Sequence, residues 1–464
     1  MTKYSENKTV FYNIVSTIVI TGINFFTIPL FTRLLDTSGY GIVNVYASWV
    51  QITSILVGFK ADGSIGSAKA NLDEDEQDAY HVSILVLALV SFLAISLASV
   101  IFMGQVSRWL SMSATLVICM LLQSIGSFII SLFSMRFIFF KEPLKNLILS
   151  IGVSVATTLA SIILILGPFS DHDPHMGRIL GLCLPNLLIG SILAGSLMRR
   201  TLTKVRLRYW RFCLALTIPL IFHGLSQLVL SQAGKIGIQH AEGDAAAGVY
   251  SIAIVIVSVL NSVYNALNNA FVPFMYDDLA GKTTPVVKAR RFSRYFWLFT
   301  LITCAFVMMA PEVLTLMAPE KYWSALSLLP VLVISQYFIF LYSFPVNYEF
   351  FRMKTRSIAA GTLGAAALTI ALNALLIPRL GQMGAAVAST VAYMGLFVFH
   401  FLVARYRLED RNYPARIYLT GLIVVVVACL SYYPLAAAAL VRWAVGILIV
   451  VFVAGRVIAR RSIF

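Results

Sequence analysis

Residues 29–41 read Pro29-Leu-Phe-Thr-Arg33-Leu-Leu-Asp36-Thr-Ser-Gly39-Tyr40-Gly41, a charged turn set between two long apolar runs. On either side the chain continues almost without charge for about 20 residues, the length a helix needs to cross a bilayer core. Barrel strands would be about half that length and alternate in polarity. The turn therefore reads as the short exit of one membrane helix and the entry to the next. Its outline returns as Lys235-Ile-Gly followed by Gly248-Val-Tyr250-Ser-Ile-Ala, an offset of 202 residues from Arg33 to Lys235.

Working outward, fourteen apolar stretches can be read. Their centres lie near Ile20, Ser54, Ser91, Ser124, Ser154, Leu187, Phe222, Val259, Val307, Val333, Thr369, Ala392, Val424 and Val450. Between the last two, Pro434 is the clear break. Composition agrees: 59% of the 464 residues are hydrophobic and 12% charged, with a mean hydropathy of +0.86. Average soluble domains are about 45–50% apolar and about 25% charged. The expected class is an all-α polytopic membrane protein of about fourteen transmembrane helices.

The net charge of +15 would suggest nucleic acid in a soluble chain, but the cations are sorted by connector. Seven fall in odd-numbered connectors: Arg33, Arg108, Arg178, Lys235, Lys321, Arg379 and Arg442. The other 28 lie in the tails and the even connectors, with a dense run from Arg199 to Arg211. Such alternation follows the positive-inside rule and places both termini in the cytoplasm, with no nucleic-acid partner. Lys3 and Lys8 ahead of an apolar run imitate a signal peptide, but the run is too long and lacks a cleavage site, so it reads as the first retained span. Five cysteines (Cys119, Cys183, Cys213, Cys304, Cys429) all sit in apolar stretches and read as packing residues.

Two further correspondences strengthen the repeat. Phe139-Phe140-Lys141-Glu142 returns as Phe350-Phe351-Arg352-Met-Lys354, and Met176-Gly177 returns as Met383-Gly384, at offsets of 211 and 207 residues. Three matches at equivalent connectors favour two pseudo-symmetric six-helix lobes, residues 1–205 and 206–408, with two additional helices in 409–464. An even number of spans gives the lobes the same orientation, a geometry suited to alternating access.

Enzymatic chemistry finds little support. The outer connectors are too short for a catalytic domain. The segment Asp171-His172-Asp173-Pro174-His175 resembles a metal cluster but fits a solvated turn better. Gly281-Lys282-Thr283 has the end of a phosphate-binding loop, yet the required earlier glycine is Tyr276. No cofactor is expected, and transport must draw on a gradient.

Polar groups at membrane depth are candidate functional groups. Asn13, Thr17, Thr21 and Asn24 share one face of the first span, and Asn261, Asn265, Asn268 and Asn269 recur along the eighth. Such stripes face either neighbouring helices or a cavity. Arg33 and Lys235 hold matched positions in the two lobes, as interfacial anchors or as cavity cations. Asp36, Asp62 and Glu349 are the acids near spans that could couple an ion; Asp62 could equally pair with Lys60, and Glu349 with Arg352. Cations with amides and hydroxyls suit a sugar attached to phosphate.

Residues 29–41 resemble the first-helix exit of bacterial polysaccharide flippases of the Wzx type. So does Asn373-Ala-Leu-Leu-Ile-Pro378-Arg-Leu-Gly381-Gln-Met-Gly384-Ala385-Ala386-Val-Ala388-Ser-Thr390, and Pro219, Gly248-Val-Tyr250-Ser and Pro273 fit their seventh and eighth helices. The resemblance implies the multidrug/oligosaccharidyl-lipid/polysaccharide exporter fold. It also implies movement of an undecaprenyl-diphosphate-linked oligosaccharide (an O-antigen, capsule or exopolysaccharide repeat unit) across the bacterial inner membrane. Membrane lipids and a polysaccharide polymerase with its chain-length machinery are the implied partners. Two departures stand out: Gly234-Lys235 replaces the Asp-Arg that usually ends the seventh helix, and many relatives stop at twelve spans. A cation-coupled drug antiporter of the same superfamily is disfavoured by the lack of mid-helix acids. A membrane polymerase or ligase is disfavoured by the short outer connectors.

Overall fold

A computed structural model of the chain describes residues 22, 23, 25–170, 173–201, 204–410 and 412–460. Among them there are helices and turns and no strand. Lipid offers no partner for a backbone N–H or C=O, and a helix satisfies both within its own segment. The order is α1 (Phe25–Leu34), α2 (Thr37–Gly58), α3 (Ile65–Asn71), α4 (Gln77–Ile101), α5 (Met103–Leu110), α6 (Ala114–Phe139), α7 (Pro143–Leu166) and α8 (Pro174–Thr201). It continues with α9 (Leu207–Glu242), α10 (Asp244–Leu279), α11 (Pro285–Met317), α12 (Leu329–Phe351), α13 (Thr355–Leu402), α14 (Ala415–Tyr432) and α15 (Ala439–Arg460).

Twelve of the described helical segments are long and apolar enough to cross a membrane. The eleventh and twelfth expected spans form one element, α13, broken at Gly381 (φ 58°, ψ −137°). A connecting loop is absent because glycine alone supplies this backbone turn at low cost. Of the first expected span, only the segment around α1 is described, and most of its polar stripe lies outside the described residues. The chain is a multi-pass membrane protein, and its lipid-facing sides explain surfaces that water would not tolerate. On α4, Leu93, Leu97 and Ile101 are each more than 60% exposed.

The chain divides into two compact units, Met1–Leu228 and Val229–Phe464, with the dividing point inside α9. In the first unit, α6 and α8 cross at Gly126 and Gly190, where a Cβ on Gly126 would stand 2.6 Å from the Asn186 carbonyl oxygen. Small residues at such crossings let helix backbones touch, which is how helices associate without a hydrophobic drive. The core beside this crossing gathers Val57, Ile65, Tyr80, Ile84, Phe128 and Phe133.

In the second unit, aromatic rings of α10, α11 and α12 form the interior. Phe271 stacks on Tyr295 at 4.2 Å and Phe299 meets Phe340 at 4.4 Å. The C-terminal helices α14 and α15 both pack on α11. Arg442 of α15 fastens there: its guanidinium donates to both Glu312 carboxylate oxygens, at 2.6 and 3.1 Å, and to the Met308 carbonyl.

Two outcomes test this packing. Gly126→Ala forces backbone apart and should destabilise by about 1–3 kcal/mol, seen as a lower melting temperature in detergent. Arg442→Ala strands Glu312 and should cost about 3 kcal/mol or more, whereas Arg442→Ala with Glu312→Ala should recover part of that loss in the same measurement.

Candidate functional site

The first unit holds a polar cavity built on a helix break. After Gly58, Phe59 (φ 50°) and Lys60 (φ 54°) both take the left-handed backbone region. Two consecutive L residues there are strained, and such strain persists only where the surroundings fix it. The break turns the chain into a short 3-10 turn, Ala61–Ser64, that buries Asp62. The Asp62 Oδ2 accepts Ser131 Oγ at 2.8 Å and lies 3.4 Å from Lys60 Nζ.

Above this pair, α2 contributes Gln51 and Ser54, and α6 contributes Gln123, Ser127 and Ser131. With Leu182 and Leu228 among the apolar walls they enclose about 450 Å³, within the roughly 300–1,000 Å³ of small-molecule sites. Tyr46 Oη donates to Gln123 Oε1 at 2.7 Å, fixing the amide's orientation. The lining is rich in hydroxyls and amides, and its one carboxylate is already engaged. This chemistry suits a polyhydroxylated ligand better than a free cation.

The seven cations of the odd-numbered connectors separate sharply. Arg33 is exposed, and its Nη1 caps the Pro29 carbonyl of its own helix at 2.9 Å. Arg108, Lys321 and Arg379 are exposed, and Arg442 is paired with Glu312. Arg178, in the first unit, is drawn inward: its guanidinium lies 3.7 Å over the Phe31 ring and donates to Ser161 Oγ at 2.7 Å. Lys235, in the second unit, is 8% exposed. Among the described residues neither has an acidic partner.

Of the remaining sequence candidates, Asn13, Thr17, Thr21 and Asn24 lie outside the described residues. Asp36 is exposed and caps α2, accepting the Gly39 N–H at 2.8 Å. On α10, Asn265 donates to Asn261 at 2.8 Å, Asn268 accepts from Asn347 of α12 at 3.4 Å, and Asn265 and Asn269 are exposed. Glu349 does not pair with Arg352, which donates instead to Tyr348 Oη at 3.2 Å. Its partner is His400, 51 residues on, because the break in α13 returns the chain to the end of α12. All five cysteines are buried and free, and the described residues contain no cluster of metal-ligand type.

Three features escaped the sequence reading. Gln123, Ser127 and Ser131 step by four and could have been found by the periodicity that marked the Asn stripes. Arg178 carried no mark beyond its outer connector. His400 had none.

Residues 7–277, more than half of the chain, match the family described as polysaccharide biosynthesis protein. The chain belongs to that family. A Haemophilus influenzae protein named for the Lsg locus is 23% identical over 349 residues, covering 72% of this chain and 82% of its own. A membrane protein of the same organism is 22% identical over 384 residues, covering 78% and 89%. In fold, the chain resembles the lipid II flippase MurJ in an inward closed conformation, with a TM-score of 0.67 at 14% identity over 97% of this chain and 99% of that one. An inward-facing MATE-family multidrug transporter of the MOP superfamily matches at 0.61 and 13% identity, covering 86% and 98%. The polysaccharide biosynthesis chain described here therefore has the MurJ/MATE fold of multi-helix transporters.

The Lys60–Asp62–Ser131 cluster has a direct test. Asp62→Ala leaves Lys60 and Ser131 without their shared acceptor and should cost about 1–2 kcal/mol, measured as thermal stability in detergent. An unchanged melting temperature would show that water replaces the carboxylate.

Proposed function

We propose that this chain is a flippase that carries an undecaprenyl-diphosphate-linked oligosaccharide from the cytoplasmic to the periplasmic leaflet of the bacterial inner membrane by alternating access. The observation that carries this reading is the pair of withdrawn odd-connector cations, Arg178 and Lys235, one in each compact unit and neither matched by an acid among the described residues. Burying a cation without a carboxylate is costly unless an anion arrives to complete it. A diphosphate supplies that anion, and the serines and glutamines on one side of the first unit's cavity supply contacts for sugar. Family membership and a fold shared with a lipid II flippase support the same class of cargo.

In this reading, Lys235 and Arg178 attract the diphosphate, and exposed Arg33 meets it at the outer surface, where the cargo leaves. Asn13, Thr17, Thr21 and Asn24 of the first span and Asn265, Asn268 and Asn269 of α10 are sugar contacts alongside Gln51, Gln123 and Ser127. The polyprenyl tail remains in lipid. Both termini are cytoplasmic, the two lobes are six-helix repeats, and α14 and α15 are an addition to the second. Asp36, Asp62 and Glu349 are the coupling candidates, and a polysaccharide polymerase would receive the product.

A leaflet-accessibility assay in proteoliposomes, with a labelled undecaprenyl-diphosphate glycan, tests the reading. Lys235→Ala and Arg178→Ala should each slow flipping about tenfold, roughly 1.4 kcal/mol of lost stabilisation. Lys235→Arg should keep most of the rate because it keeps the charge. Wild-type protein that hydrolyses or extends the glycan, or alanine variants that flip at the wild-type rate, would overturn it.

A further inference from the structure

Glu349 stands in the last turn of α12 and His400 in the last turn of α13, and both are 0% exposed. His400 Nδ1 lies 2.6 Å from Glu349 Oε1. The second carboxylate oxygen, Oε2, accepts from Ser357 Oγ at the start of α13. Among the described residues His400 Nε2 has no hydrogen-bond partner. It is aimed at Gly361, where a Cβ would stand only 2.5 Å from the nitrogen. The pair therefore joins three segments: the end of α12, the 355–380 arm of α13 and the 382–402 arm beyond Gly381.

We propose that Glu349 and His400 form a proton-binding site whose occupancy selects between packings of the two arms of α13. A carboxylate with one neutral imidazole carries a net charge of −1, so an added proton finds its counter-charge already in place. A proton from bulk water, bonding to the Nε2 lone pair, converts the pair into a neutral ion pair of carboxylate and imidazolium. The same proton returns to water on release, so no other reactant is consumed.

Facing groups do not neutralise the pair by other means. Tyr342, also on α12, has its ring 5.2 Å from the His400 ring. Tyr264 of α10 and Tyr393 of the second arm act on Tyr342 electrostatically, and all three are phenols. From α11 and α14, Tyr295 and Tyr418 lie against Phe344 rather than against the pair. The first arm presents Ser357 and Gly361. Arg352, Lys354 and Arg356 of the following turn are exposed, and Arg405 donates to the Asp410 carbonyl.

The coupling follows from the unpartnered nitrogen. With Oε2 engaged by Ser357, the added proton leaves an N–H at Nε2, pointing at Gly361 where nothing accepts it. An unsatisfied buried donor is unfavourable. The packing described here therefore belongs to the unloaded site, and proton loading favours a state in which the 355–380 arm draws away from His400. By linkage, any force that separates the arms raises the site's proton affinity equally. Only the use of this proton to drive cargo rests on the flippase reading; the site itself does not.

The test is nitrogen NMR of histidine-labelled protein in lipid nanodiscs between pH 4 and 9, with His400→Gln to assign the signal among the six histidines. His400 Nε2 should convert from a bare nitrogen to N–H within that range. Glu349→Gln should lower the midpoint by one unit or more, a tenfold weaker proton affinity. Ser357→Ala, which keeps the ion pair but removes one donor to the carboxylate, should raise it. A His400 signal that does not titrate, or a midpoint unmoved in both variants, would overturn the proposal. In proteoliposomes with pyranine inside, an undecaprenyl-diphosphate glycan should accelerate proton movement in wild type and not in His400→Gln. If His400 titrates as stated while the glycan neither moves nor changes proton flux, the proton site stands and the cargo reading fails.

Discussion

A charged side chain held at membrane depth has no water to solvate it, so each one must be paired, lifted to the interface or matched by something that binds there. Much of this molecule can be understood by asking which answer each charge receives. Arg442 is paired, bidentate with Glu312, and that contact helps hold α15 to α11. Arg33 is lifted out and satisfies a helix-end carbonyl. Arg178 rests on an aromatic ring and a hydroxyl, and Lys235 is buried with no acidic partner among the described residues.

The same scarcity of water governs the backbone. Non-helical segments at depth survive only where protein or a polar cavity satisfies them, and two breaks among the described residues help to position buried ionisable groups. The left-handed pair Phe59 and Lys60 sets Asp62 against Ser131 and opens the polar cavity. The turn at Gly381 brings the far arm of α13 back to the end of α12 and so places His400 on Glu349.

Much of the fold was legible in the sequence because hydrophobic runs of span length have few alternative readings. The break between α14 and α15 falls at Pro434, as the missing amide hydrogen bond requires. Less of the candidate site was legible. Arg33 and Arg178 look equivalent as outer-connector arginines, yet one caps its own helix and the other turns inward onto Phe31. Which way such a side chain goes depends on helix rotation and on a neighbour far away in sequence. Glu349 sits three residues from Arg352, an obvious partner on a helix, but the histidine 51 residues away wins because it is buried with the acid while the arginine reaches solvent.

The sequence by itself determined that the chain spans a membrane many times and that it does so as helices. Those conclusions depend on transfer from water to lipid, a property of each segment alone. Tertiary structure decided which cations remain unmatched, that α6 supplies the cavity's polar wall, and that a carboxylate and an imidazole share one buried position. Those outcomes depend on how helices are rotated and interrupted relative to one another, and no local pattern of residues encodes that relation.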